Sequence, residues 1–338
     1  MKRLLAIACL LSVIASCAAE PKKTSRQGYV LGTVCSITAY NASEKLYDSV
    51  FAALKDIEDR MSVDGELSEI HKVNTAAGEH PVEVSDDTLD VIKTALEFSA
   101  LAPGSFDITI GPLVELWGIG KKEHPSVPPM DDIKARLALI DYSLVEIRGN
   151  SVYLPEKGMG IDLGGIAKGY SADVTRKMLL AGGVKSALLD FGGNILTVGT
   201  KPDGSPWKIG IQDPSLQRGK YVGILKLVDR TAVTSGPYER FFIQDGVRYH
   251  HILNPLTGFP AESEIQSVTI VTGKSIRGDA LSTMVYILGL ERGMEIIHSL
   301  EDTETVIITK DKTVYTSTDF GDEFALTDPS YTLQIMGR

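Results

Sequence analysis

The chain has 338 residues, 43% of them hydrophobic, enough to bury a substantial core as one large domain or two intimate lobes. Its 34 lysines and arginines against 44 aspartates and glutamates leave a formal charge of −10, and no basic run occurs anywhere. Affinity for a phosphate backbone needs a basic face, so nucleic acid is set aside as a partner.

Lys2 and Arg3 precede an apolar run over residues 4–14. That run is shorter than the ~20 residues of a membrane span and has the form of a cleaved signal. Ile14, Ala15 and Ser16 then lead into Cys17, the bacterial lipobox pattern, in which Cys17 becomes the lipidated first residue. An ordinary signal peptide that contains a cysteine is the alternative. The expected organisation is a signal over residues 1–16, a lipidated tether over 17–27 and one domain from residue 28 onward. Residues 20–26 are polar and expected to stay disordered. Of the three cysteines, Cys9 leaves with the signal and Cys17 carries lipid. Cys35 is left as a small buried hydrophobe, with no disulfide framework.

Residues 29–40 alternate as a strand opened by Leu31-Gly32-Thr33. Ser43 can cap a helix in which Leu46, Val50, Leu54, Ile57 and Met61 form one stripe, and Ser85 starts another with Leu89, Ile92 and Leu96. A turn-rich segment over 103–112 runs into Trp117, and 121–129 is a polar loop. Gly149-Asn150 marks a hairpin between short strands within 142–154. From Asp162 a glycine-rich turn feeds a helix through Leu180, stopped by Gly182-Gly183. Short strands are predicted over 187–190, 195–198, 207–211, 222–227, 241–244 and 265–271. Ser275 is predicted to cap a helix reaching Leu288, a further helix covers 291–300, and strands over 305–309 and 313–316 close the chain. Helices and strands mix without strict alternation, so the expected class is α+β with mixed, largely antiparallel sheets and packed helices.

Three stretches could carry chemistry. In Gly278-Asp279-Ala280-Leu281-Ser282-Thr283, Asp279 and Thr283 stand four apart on a helix and project from one face, with Ser282 close by. One carboxylate with hydroxyls is a hard-oxygen set, suited to Mg²⁺ or Ca²⁺ and wrong for zinc. Spacing alone leaves the plainer explanation standing, that the helix dipole favours an aspartate in the first turn. In Asp162-Leu163-Gly164-Gly165-Ile166-Ala167-Lys168, glycines before a helix let backbone N–H groups approach an anion, and Lys168 adds positive charge. A surface lysine after a strand-to-helix turn is the alternative. In the run from Tyr249 to Pro260, the adjacent His250 and His251 face opposite sides of a strand, so one of them can enter a site as a proton shuttle. A hydrogen-bonded structural histidine is the alternative. Trp117, Trp207 and Tyr238 read as core.

Taken in order, Leu31-Gly32-Thr33, Ser105 to Thr109 with Gly111-Pro112-Leu113 and Trp117, Asp162 to Asp173, Gly192-Gly193-Asn194, Thr234-Ser235-Gly236, His251 to Pro260 and Asp279 to Thr283 closely resemble the ApbE family. Members are FAD:protein FMN transferases, often periplasmic lipoproteins. The resemblance runs from Gly28 to about Thr316 and implies a single domain over 28–338, with a flavin site in a cleft between lobes. It implies that Asp279, Thr283 and the main-chain oxygen of Gly165 hold Mg²⁺ (or Ca²⁺ or Mn²⁺) against the FAD diphosphate. Ser282 stands where members carry aspartate, and its share is weaker or through water. Leu31, Ser105, Phe106, Asp107, Asp162, Lys168 and Leu253 fall at nucleotide-contact positions, and His251 lies near the reacting phosphates. Asp64 departs from the aromatic residue some relatives place on the nucleotide. The implied reaction joins FMN to a threonine hydroxyl of a target protein and releases AMP, with Lys168 and His251 as the reactive side chains. The implied targets are flavin-accepting subunits of membrane redox complexes of the sodium-pumping quinone oxidoreductase (Nqr) and Rnf types. An FAD pyrophosphatase giving FMN and AMP, and a non-catalytic FAD-storage lipoprotein, are the alternatives. The expected location is the periplasmic side of a bacterial membrane.

Overall fold

The computed structural model describes residues 20–217, 219–318 and 320–337. The expected signal and Cys17 lie outside these residues. The class is α+β, built on a nine-stranded sheet. Its strands are β1 (Lys23–Val30), β2 (Thr33–Tyr40), β3 (Ala187–Phe191), β4 (Asn194–Val198), β5 (Thr231–Ser235), β6 (Ile265–Thr272), β7 (Thr303–Thr309), β8 (Thr313–Thr316) and β9 (Thr332–Ile335). They lie side by side in chain order, and every neighbouring pair is antiparallel except β8 and β9.

Two expectations at the start of the chain are corrected. The polar tether does not run disordered to residue 26, because β1 begins at Lys23 and pairs with β2 from Lys23↔Tyr40 onward. A polar sequence suffices at a sheet edge, where main-chain pairing does the work; Thr24 reaches Tyr47 at 3.0 Å and Arg26 reaches Asp48 at 2.5 Å. Residues 29–40 are also not one strand but the last two residues of β1, a hairpin turn and the whole of β2. Leu31 and Gly32 form its turn with φ of +58° and +65°, the left-handed pair that matches strand twist. Leucine is a rare choice there, which is why the turn is silent in the sequence.

The helices follow their apolar stripes. Helix α1 (Glu44–Met61) is capped by the Ser43 hydroxyl, which accepts the Leu46 N–H, and buries Tyr47, Val50, Leu54, Ile57 and Met61. The helix Asp86–Leu101 is capped by Ser85, and the turn between strands Glu146–Arg148 and Ser151–Tyr153 falls at Gly149-Asn150. Helix α2 (Ala167–Ala181) and helix α3 (Ser275–Leu288) pack on each other, and α3 lies on β5 and β6. Ser275 is not the cap of α3. That task falls to Asp173 of α2, whose two carboxylate oxygens accept the Ser275 and Ile276 N–H groups at 3.0 and 2.9 Å.

The sheet is covered on both faces. Val268 and Ile270 of β6 join the helical core, while Val271 faces the other way into a cluster with Trp207, Ile209 and Leu225 from a smaller sheet of strands Trp207–Gln212, Tyr221–Leu227 and Phe324–Leu326. Burial on both faces accounts for the unbroken apolar and threonine-rich run of β6. Helix α3 is sandwiched in turn: Gly278 approaches β5 so closely that a β-carbon would stand 2.8 Å from Val233. Asp279 therefore sits on a helix with almost no solvent face, and its carboxylate must find its partners inside the protein.

Candidate active site

A cavity of about 670 Å³ opens where the Leu31-Gly32 turn, the end of α1, the segments 105–107 and 162–168, the base of the 241–250 ribbon and one face of α3 meet. Its size lies within the roughly 300–1,000 Å³ of small-molecule sites. Leu31, Asp64, Ser105, Phe106, Asp107, Asp162, Gly165, Lys168, His251, Leu253, Asp279 and Thr283 all line it. Residues from six parts of the sequence thus share one wall system.

At its floor, Asp279 is 4% exposed. Its Oδ2 accepts the Gly169 N–H at 2.9 Å, and its Oδ1 faces the Lys168 ammonium at 3.2 Å. Thr283 follows one helical turn on. The Gly165 backbone comes so near that a β-carbon there would lie 3.8 Å from Thr283 Oγ1 and 3.1 Å from the Phe106 ring. A carboxylate, a hydroxyl and the Gly165 backbone thus line one part of the cavity, a hard-oxygen set that fits a small cation completing its shell from substrate oxygens. Among the described residues no group of three or more His, Cys, Asp or Glu side chains gathers anywhere. A cation at Asp279 would depend on this mixed set.

Ser282 does not belong to it. Its side chain is fully buried behind α3, hydrogen-bonded to Ser235 Oγ at 2.8 Å and to the Asp279 carbonyl at 2.9 Å, and it does not line the cavity. One residue along a helix is a rotation of about 100°, enough to turn it from the cavity to β5. The glycine-rich turn is also corrected in part. Asp162 Oδ1 takes the Gly164 N–H at 2.7 Å, and the Leu163 carbonyl takes those of Ile166 and Ala167. Those three amides are committed to the turn, so anion attraction rests on Lys168 and the Gly165 N–H. Ser105 donates to the Ala102 carbonyl. The Asp107 carboxylate accepts from Thr109 N, Thr109 Oγ1 and Tyr142 N at 2.6–3.1 Å. Burial raises its carboxyl above the ordinary range in spite of those three donors. Both side chains shape the wall more than they offer it free groups.

The two histidines separate as strand alternation requires. His250 is buried, its Nε2 facing the Ala261 carbonyl at 3.1 Å and its Nδ1 accepting the Ile252 N–H at 3.3 Å. His251 opens on the cavity, its Nδ1 3.2 Å from the Arg240 carbonyl. A carbonyl only accepts, so Nδ1 carries the hydrogen and Nε2 keeps its lone pair. The ring is reachable by solvent from the cavity yet set among protein atoms, and that desolvation, with Arg240, His250 and Lys168 nearby, pushes its pKa down to about 4. It is a neutral base at physiological pH. Asp64 stands at the mouth, 85% exposed, with Lys121 at 3.8 Å.

Three contributors went unread in the sequence. Gly169 brings α2 against α3: a β-carbon there would meet Ser275 O at 2.3 Å. A glycine inside a helical run is the signal that could have exposed it. Asp173 and Arg240 act through main-chain partners far away in sequence, and no local pattern marks them.

The described chain is similar throughout to proteins of one kind. The model of the ApbE family matches residues 31–308. FAD:protein FMN transferases from Klebsiella pneumoniae (strain 342) and Treponema pallidum (strain Nichols) are 37% and 34% identical over 309 and 350 residues, covering 91% and 97% of this chain and 96% of each relative. Among solved structures, the flavin transferase ApbE from Vibrio cholerae superposes with a TM-score of 0.78 at 32% identity, covering 90% of this chain and 96% of that one. The ApbE protein of Thermotoga maritima also scores 0.78 at 32% identity, covering 86% and 95%.

Proposed function

The chain belongs to the ApbE family, and from that premise we propose that it is an FAD:protein FMN transferase working in this cavity. The observation that carries the reading is the meeting of Asp279, Thr283, Lys168 and the neutral His251 around one space of dinucleotide size. Asp279, Thr283 and the Gly165 carbonyl would hold Mg²⁺, which when bound neutralises the diphosphate and spreads the charge that develops at phosphorus.

The chain's own groups supply the rest. Lys168 is held at the floor by Asp279 and directs its ammonium to the same oxygens. His251 Nε2 accepts the proton of a threonine hydroxyl as the threonine oxygen attacks the FMN-side phosphorus. The bond from that phosphorus to the bridging oxygen breaks, and AMP leaves with the electron pair. FMN is then joined to the target through a phosphoester. Leu31, Phe106 and Leu253 offer apolar wall to the flavin or adenine, and Asp162 and Asp64 offer acceptors to hydroxyl and amino groups.

The lipobox at Cys17 supports a lipid-anchored enzyme on the periplasmic side of a bacterial membrane, where flavin-accepting subunits of Nqr and Rnf type would meet it. A second reading, FAD pyrophosphatase activity, draws on the exposed Asp64 at the mouth, which leaves the site open to water as nucleophile. Incubating the soluble domain with FAD and Mg²⁺, with and without a flavin-accepting subunit, separates these. AMP release that requires the acceptor supports transfer; release without it supports hydrolysis; none in either arm overturns both.

A further inference from the structure

The transfer reaction needs a second substrate, a polypeptide, and next to His251 stands a feature that lies outside the cavity lining. Strands Phe241–Gln244 and Val247–His250 form a two-stranded ribbon of their own. The ribbon rises directly from the site, since Arg240 and His251 at its base both line the cavity and are joined by the His251 N–H to the Arg240 carbonyl at 3.1 Å. Its inner face is anchored: Phe242 and Tyr249 stack at 5.2 Å, and Tyr249 stacks on the buried Trp117 at 5.7 Å.

Its outer side is left open. The turn at Asp245-Gly246, both with positive φ, places Gln244 opposite Val247 as a bonded pair. Alternate pairs exchange hydrogen bonds in an antiparallel ribbon, so Phe242↔Tyr249 and Arg240↔His251 are the next bonded pairs. The N–H and C=O groups of Phe241 and Ile243 therefore point away from the partner strand. Among the described residues no main-chain hydrogen bond outside the ribbon engages them. Phe241 is 41% and Ile243 63% exposed, an apolar edge held flat by Arg248 over the Phe241 ring. On the opposite strand, the His250 side chain is buried against the Ala261 segment.

We propose that the Phe241–Gln244 edge receives an extended, threonine-bearing segment of the flavin-accepting protein as a third strand. Strand addition supplies main-chain hydrogen bonds from the outward groups of Phe241 and Ile243 and an apolar seat for alternate side chains. A segment laid along this edge runs past Arg240 into the cavity and delivers its hydroxyl to His251. The proposal rests on the transferase reading and adds to it where the protein substrate docks.

Ile243→Pro tests it, since proline removes the outward N–H and is tolerated where a strand's N–H faces solvent. Ile243→Asp is the second variant, changing the side chain but not the main chain. Transfer of FMN to a purified Nqr-type flavin-accepting subunit is measured against acceptor concentration, with FAD affinity followed by flavin fluorescence and the oligomeric state by light scattering. The expected result is a KM for the acceptor raised about tenfold or more in both variants, with FAD affinity unchanged. An unchanged acceptor KM in both variants overturns the proposal while leaving the transferase reading intact. So does an effect confined to self-association, which would assign the edge to a second copy of the chain. Absence of transfer by the wild-type enzyme overturns the transferase reading and this proposal with it.

Discussion

Replacing Asp279 separates two jobs done by one carboxylate. In the folded chain it accepts the Gly169 N–H at 2.9 Å and faces the Lys168 ammonium at 3.2 Å, while itself only 4% exposed. Asp279→Asn keeps an oxygen for Gly169 but removes the charge. The Lys168 side chain is 27% exposed, so water compensates part of the loss, and the expected destabilisation is about 1–2 kcal/mol. Asp279→Ala also strands the buried Gly169 N–H, which brings the cost to about 2–4 kcal/mol, toward the lower end for a broken buried pair. Catalysis should suffer more than stability, because the cation's donor set loses its carboxylate: a fall of at least about 10²–10³-fold in kcat/KM for both variants. AMP release from FAD across a Mg²⁺ titration, with thermal unfolding in parallel, measures both effects. The reasoning is refuted if Asp279→Asn keeps the wild-type rate and the wild-type dependence on Mg²⁺, or if the loss merely tracks the unfolded fraction.

His251→Gln should lower kcat by about 10²–10⁴-fold with FAD affinity retained. Because the imidazole is held near 4, the acid limb of the wild-type rate profile should fall through about 4; a limb centred on 6.5 would contradict the assignment. His250 acts on stability instead. Burial lowers its pKa from 6.5 to about 4, so the unfolded chain binds the proton more readily; its contribution is full above 6.5 and is lost as pH falls toward 4, roughly 3 kcal/mol in all. Urea unfolding near neutral pH and near pH 4 should show that slope, and His250→Gln should reduce it, leaving the share that His251, also held near 4, contributes. Gly169→Ala should cost about 1–3 kcal/mol and weaken Mg²⁺ dependence, because its β-carbon would press on the main chain of Ser275 and Ile276; an unchanged Tm and metal response would show that α2 and α3 can part without penalty.

Much of this was legible in order of residues. Helix α1 announces itself by a serine cap and an apolar stripe, of which Val50, Leu54, Ile57 and Met61 are buried where the period places them, while Leu46 is only partly buried. Adjacent histidines in a strand must part to opposite sides, and they do. Asp279 and Thr283 share a helical face by spacing alone, and both reach the cavity. Cys35 is buried at β2, its thiol pushed up to about 12 by burial, as a lone small hydrophobe should be.

What escaped the sequence has a common cause. Ser282 was grouped with Asp279 and Thr283 because proximity along a chain resembles proximity in space, yet one step of helical rotation turns it to Ser235. The Gly164 amide looked free because nothing local says that the Asp162 carboxylate will take it, or that the Leu163 carbonyl will take those of Ile166 and Ala167. Asp173 seemed an unremarkable helix residue until α3 arrived with an uncapped end. The sequence by itself determined which faces are apolar, where helices start and which oxygens could bind a hard cation, since these depend on periodicity and side-chain chemistry within a few residues. Only the tertiary structure decided which donors remain unspent, because a hydrogen bond is claimed by whatever the packing of β5, α2 and α3 brings within about 3 Å, however distant in the chain.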